Sequence, residues 1–236
     1  MRRRPFRRTE IRWLVASVSL LLAAACSGAA TTGSTSATTS APATTGATPI
    51  HRTFMGAGTH PTVTVVAPSG WTLFKNFGVT NDCCGVGFWD VGKVARDPCH
   101  STGHLYDPGP TVDDLVAALE AQATRHATPA TDVTLAGYSG KYLEWSVPKD
   151  MVVTGDGDFA GCDVQSDGHR NFVSWEGAGG IGQRWQQMAG QVDRLWVLDV
   201  NGQRLVVDAN YTPGTKQAQR DEEDQIVQSL QFVSAP

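Results

Sequence analysis

The 236 residues carry 19 Lys and Arg against 23 Asp and Glu, a formal net charge of −4, and 41% of them are hydrophobic. That length and apolar content suffice for one domain with a packed core and exclude a wholly disordered chain. The acidic balance makes nucleic acid, a polyanion, a poor partner.

The chain opens with a basic head of Arg2, Arg3, Arg4, Arg7, Arg8 and Arg12, followed by the apolar run Trp13 to Ala25. A spanning helix takes about 20 apolar residues, so this run is short for a membrane span and has the length of a signal-peptide core. Ala23-Ala24-Ala25-Cys26 resembles the lipobox of bacterial lipoproteins. In those proteins a diacylglycerol is placed on the cysteine thiol and cleavage makes that cysteine the N-terminus. The resemblance implies a signal peptide over 1–25, an acylated Cys26, and a chain held by its lipid on the extracytoplasmic face of the cell membrane. The alternatives are a soluble secreted protein cut nearby or an uncleaved anchor. Loss of 1–25 removes six Arg and one Glu and leaves 13 basic and 22 acidic groups, a net charge of −9. Such a domain is repelled by anionic headgroups, so the membrane is expected as a partner only through the lipid.

Residues 27 to about 50 are almost entirely Ser, Thr, Ala, Gly and Pro. They offer too little apolar surface to offset chain entropy, and with Cys26 they are expected to form a disordered spacer over 26–58. Residues 59–236 are expected to form the globular domain. Val63 to Val66 and Trp71 to Phe77 read as strands around a turn at Pro68-Ser69-Gly70, and Val86 to Val91 as another. Thr111 caps a helix with Asp113 and Asp114 in its first turn. Val112, Leu115, Val116, Leu119 and Ala123 give that helix an apolar face that fades near His126.

Val133 to Gly137 and Lys141 to Val147 read as strands around a turn at Tyr138-Ser139-Gly140, and Pro148 to Gly168 as a Gly-rich loop. Phe172 to Trp175 is a short strand. Arg194 to Val200, Asn201-Gly202 and Gln203 to Tyr211 form a hairpin, because Asn-Gly supplies the two positive φ angles of a tight turn. Thr215 caps a second helix reaching Leu230. Ala218, Ile226, Val227 and Leu230 are expected on its buried side, and Asp221, Glu222, Glu223 and Asp224 in solvent. The sum is an α+β domain: a twisted, mainly antiparallel sheet packed by two helices.

The hairpin Arg194 to Ala209, Pro213-Gly214-Thr215, the acidic helix and Ser229-Leu230-Gln231-Phe232 resemble the tail of uncharacterised actinobacterial lipoproteins. Gly70-Trp71 and Asp97-Pro98-Cys99 resemble their earlier parts. The hairpin–helix–strand ending is also similar to the PsbP-like α+β fold, which implies a binding or assembly module and no particular chemistry. Four cysteines remain beyond Cys26, and four allow three pairings. The related lipoproteins have partners matching Cys99 and Cys162, so the resemblance implies that bridge. Cys83 and Cys84 stay open between a vicinal disulfide and free or otherwise paired thiols.

Motifs for chemistry are weak. Cys99-His100 with His104 suggests zinc, but the residues between the histidines favour a loop and no second ligand pair follows. Asp156, Asp158 and Asp163 depart from calcium-loop spacing. Gly177 to Gly182 matches G-x-G-x-x-G but is followed by a short polar segment and a strand, so it reads as a hairpin loop. Gly137-Tyr138-Ser139-Gly140-Lys141 lacks the second glycine of a nucleophile elbow. No metal or cofactor is expected. Trp175, Trp185 and Tyr211 are the candidate ligand contacts, because their broad rings carry a polar edge; core packing is the competing reading. Trp185, beside Arg184, Gln186 and Gln187, is the one expected at the surface. The expected function is a non-enzymatic module for a small molecule or an envelope protein, with an envelope hydrolase as the alternative. An apolar cleft near Trp185 would favour the small molecule and a flat patch the protein.

Overall fold

The computed structural model describes residues 48–53, 62–75, 77–155, 157–180 and 182–233. All belong to one compact unit spanning 43–236. The expected signal peptide 1–25, Cys26 and the spacer up to residue 47 lie outside the described residues.

Strand structure begins inside the segment expected to be spacer. β1 (Thr48–Thr53) pairs antiparallel with β2 (Thr62–Ala67), Thr48 opposite Ala67 and Thr53 opposite Thr62. The spacer expectation over 26–58 is corrected at this point. β2 is a half-buried strand with Val63, Val65 and Ala67 inward, and its edge offers backbone partners to 48–53 whatever their side chains. β3 (Thr72–Phe74), β4 (Gly78–Thr80) and β5 (Cys84–Trp89) follow as a meander, then β6 (Val91–Ala95) and β7 (Leu105–Tyr106).

α1 (Val112–Glu120) starts as its capping residues dictate: Asp114 N–H donates to Thr111 Oγ1 at 3.1 Å and Thr111 N–H to Asp114 Oδ2 at 3.0 Å. It stops well short of His126. Buried Gln122 donates through Nε2 to Ala95 O and Ser174 O, Ala123 N–H donates to Arg96 O, and Thr124 takes a left-handed φ of 59°. These bonds pull the chain off the helix axis.

β8 (His126–Ala127), β9 (Thr131–Leu135) and β10 (Tyr138–Ser146) come next. The tight turn between β9 and β10 is Ala136-Gly137, with φ of 50° and 86°, so Tyr138-Ser139-Gly140 lies in the strand and the expected turn there is corrected. Gly140 is needed for another reason: a Cβ there would strike Val197 O on the neighbouring strand. β11 (Phe172–Gly177), β12 (Gln183–Gln186), β13 (Val192–Val200) and β14 (Gln203–Tyr211) follow, the last two joined at Asn201-Gly202 with φ of 57° and 80°. The chain ends in α2 (Gln217–Gln228) and β15 (Gln231–Val233). The cap of α2 is Lys216, because the Thr215 hydroxyl is spent on Thr212 O. Ala218 is exposed, and Glu223, expected in solvent, is fully buried against Arg194.

The α+β, PsbP-like expectation is overturned. Among the described residues 45% are strand and 14% helix, which makes the fold mainly β, with several antiparallel sheets in place of one sheet packed by two helices. Its physical origin is a set of short segments between the long strands, β6, β7, β8 and β12, whose backbone groups find ladder partners instead of remaining loop. Among the described residues the strands form an eight-stranded sheet in the order β3-β4-β5-β14-β13-β10-β8 with β9 also on β10, a sheet β1-β2-β15, and a sheet β12-β11-β6-β7. One face of the large sheet packs Val207, Ala209, Leu198 and Phe88 against Ile226 and Val227 of α2 and Val63 and Val65 of β2. The other face packs Leu143, Trp145, Leu195, Val197 and Val206 against Leu115, Val116 and Leu119 of α1 and against Val94 and Trp175 of the β12-β11-β6-β7 sheet.

The structure pairs Cys99 with Cys162, 63 residues apart, and Cys83 with Cys84. The first bridge holds the 148–168 segment against the chain ahead of α1, where Phe159 and Phe172 pack beside it.

Candidate functional site

Register on the second face of the large sheet creates a depression. Asp208 on β14 lies opposite Gly87 on β5, and Gly87 opposite Gly78 on β4; Asn210 lies opposite Gly85, and Gly85 opposite Thr80. Directly opposed residues project to the same face, so three glycines bring no side chains of their own to the floor; the Asn210 amide lies over Gly85 and the Trp89 indole over Gly87. The result is an open cleft enclosing about 620 Å³, open solvent included.

Phe74, Phe77 and Trp89 form one wall, with the Phe77 and Trp89 ring centroids 4.5 Å apart. Trp185 of β12 forms the other and is 44% exposed. Lys75, Gln183 and Gln187 sit at the mouth. Alternation on β12 explains the division: Gln183 and Trp185 face outward while Arg184 and Gln186 turn into the protein.

Beside the floor, on the same face of the sheet, lies a buried charge network. Arg184 donates through Nε to Asp208 Oδ2 at 2.5 Å, through Nη2 to Asp193 Oδ1, and through Nη1 to Trp185 O at 2.6 Å. Asp193 also accepts from Gln191 Nε2 at 3.1 Å and lies 3.7 Å from Arg125 Nη1. Arg125 stacks on Trp145 with its guanidinium carbon 4.1 Å from the ring centroid and donates to Ser174 Oγ. Two guanidinium groups face two carboxylates, so the network is formally neutral, as burial at this depth demands.

Burial pushes the Asp208 carboxyl up to about 6, against the pull of Arg184. Burial also lowers Arg125 to about 9, with Asp193 opposing. For Arg184 burial acts downward, and the carboxylates of Asp208 and Asp193 outweigh it, so its pKa is raised.

Two buried polar atoms of the lining lack a hydrogen-bond partner among the described residues: Asp208 Oδ1, an acceptor, and Trp89 Nε1, a donor. They flank Gly87. A Cβ on Gly87 would sit 2.8 Å from Trp89 Nε1, so the indole nitrogen lies over the bare backbone of the floor.

Of the three ligand contacts expected from sequence, the structure brings only Trp185 to the cleft. Trp175 is corrected: it is 0% exposed and packs between Trp89 and Trp145, because its position on β11 faces the large sheet. Tyr211 is corrected too. It is half-buried at the end of β14 beneath the guanidinium groups of Arg194 and Arg220, away from the cleft lining. Asp208, Arg184, Asp193, Arg125 and Trp89 were not singled out by sequence. The available signal was phase: Asp193 shares its strand side with Leu195 and Val197, and Asp208 with Val206.

Of the residues considered for metal binding, His100, Asp163 and Asp158 are each engaged in a histidine–carboxylate contact. His100 Nδ1 is 3.0 Å from Asp163 Oδ1 and His169 Nδ1 is 3.0 Å from Asp158 Oδ1. The Asp163 contact raises the pKa of His100. Asp156 lies outside the described residues. Among the described residues no three His, Cys, Asp or Glu side chains are gathered as a metal site would need. Comparison of the chain with protein-family models and with curated proteins finds no match.

Proposed function

We propose that this protein is an extracytoplasmic, lipid-anchored binding module that takes a small molecule in the cleft beside Trp185. The observation that carries the reading is the cleft itself: a glycine-floored depression between aromatic walls, with convergent polar groups beside a buried, charge-balanced network. Concave, aromatic-lined sites with a few placed polar groups suit small ligands, whereas a protein partner favours a broader, flatter surface. The hydrolase alternative has Asp208, a buried carboxyl with a raised pKa, in the cleft. Among the described residues lining it there is no serine, cysteine or histidine to act with that carboxyl. Binding requires only groups that are present.

Anchoring through Cys26 and membership of the actinobacterial lipoprotein group belong to the same proposal. They rest on the lipobox-like Ala23-Ala24-Ala25-Cys26 and on the sequence features of the C-terminal hairpin and helix. Native mass spectrometry of the full chain from its own membrane tests both parts. The proposal predicts a diacylglycerol-modified N-terminal Cys26 and a noncovalent adduct that is lost in Trp185→Ala. An unprocessed N-terminus contradicts the anchor, and an adduct retained equally by Trp185→Ala contradicts the site.

A further inference from the structure

We infer that the ligand class is neutral and polyhydroxylated, a sugar ring seated with one hydroxyl between Trp89 Nε1 and Asp208 Oδ1; this inference rests on the cleft being the binding site. Both residues line the same depression, and the two atoms are buried and lack partners among the described residues. Their residues are 3% and 1% exposed. A buried donor and a buried acceptor left unmade are each costly, and a hydroxyl is the simplest group that accepts from one and donates to the other.

Charge points the same way. Asp208 and Asp193 are balanced by Arg184 and Arg125 beside the floor, so neither an anion nor a cation finds an uncompensated counter-charge in that network. The walls complete the match. The carbon-bound hydrogens of a sugar ring form apolar faces that lie against aromatic rings, while the hydroxyls around its edge require hydrogen-bonding groups. Trp185 offers a broad exposed face, the amides of Gln183 and Gln187 stand at the mouth, and the Asn210 amide lies on the floor, donating to Gly85 O. The Asn210 amide lies over Gly85 and the Trp89 indole nitrogen over Gly87, so the ring meets these polar groups and not bare sheet.

The test uses the full chain in lipid nanodiscs and isothermal calorimetry. The probes are a panel of methyl hexopyranosides and pentofuranosides, their disaccharides, and acetanilide, a flat neutral ring without hydroxyls. At least one glycoside is expected to bind. Trp185→Ala should weaken it about tenfold or more, the scale of losing an aromatic anchor. Trp89→Phe, which keeps the ring and deletes only the donor, should weaken it about three- to tenfold. In the monodeoxy series of that glycoside, one member should lose affinity for the wild type yet bind Trp89→Phe no worse than the parent sugar does.

Binding of acetanilide in a Trp185-dependent manner with no glycoside bound leaves the cleft as the site and overturns the sugar class. Binding of neither overturns both. A glycoside whose affinity is unchanged in both variants overturns the assignment of the ring to this cleft. Circular dichroism and thermal midpoints of the two variants, matched to wild type, ensure that a loss reports contact and not unfolding.

Discussion

Asp208 and Glu223 are both carboxyls that the fold holds away from water, and they serve different ends. Asp208 is tied to Arg184 and borders the cleft. Glu223 is buried beneath α2, where Arg194 Nη2 lies 3.1 Å from one oxygen and the other lacks a partner among the described residues. Burial raises Glu223 to about 8, with Arg194 opposing. The folded protein therefore holds a proton that the unfolded chain releases near the ordinary glutamate pKa. Its stabilisation is full below about pH 4 and is lost as pH rises through about 8. Glu223→Gln should abolish that alkaline loss, so that urea midpoints measured between pH 6 and 9 fall for wild type and stay flatter for the variant. Parallel profiles would contradict a buried, protonated Glu223. The sequence placed Glu223 in solvent because four consecutive acids look like one hydrated face; on a helix they cannot share one, and a single position turns inward. Asp193 and Asp208 were overlooked for a related reason. A charge on the apolar side of a strand stands out only once the strand's phase is fixed, and their partner Arg184 lies on a different strand.

Elements differ in how openly their chemistry is written. The β13–β14 hairpin was legible because Asn201-Gly202 satisfies a tight turn locally, and the start of α1 because Thr111 and Asp114 cap each other. The Ala136-Gly137 turn was hidden, since alanine rarely adopts a positive φ, and the nearby Gly140 drew attention to the wrong place. Gly140→Ala should cost about 1–3 kcal/mol through a forced separation of β10 from β13, readable as a lowered urea midpoint with an unchanged slope. The short strands of the β12-β11-β6-β7 sheet were hidden because their pairing is set by distant partners. The two disulfides should also differ. Opening Cys99–Cys162 with paired Ser substitutions releases a 63-residue loop and should cost about 2–5 kcal/mol. Opening Cys83–Cys84 releases no loop of consequence and should cost far less, because adjacent residues gain little chain entropy when freed. Equal losses in denaturant unfolding would contradict that ordering.

At the scale of the whole molecule, a large sheet packed on both faces provides rigidity, and the glycine-floored cleft opens on one of those faces at β4 and β5. The exposed Trp185 was visible in the sequence as an aromatic among polar neighbours, so one side of the site could be anticipated; its floor and the charged network beside it arise only from register between strands distant in the chain. On this reading the cleft holds a ligand. Amide chemical-shift mapping of the full chain during titration with a library of small neutral fragments tests it most directly. Saturable shifts are expected to concentrate at Lys75, Gly85, Gly87, Gln183, Trp185 and Asn210. Saturable shifts confined to another surface, with these amides unmoved, would contradict it.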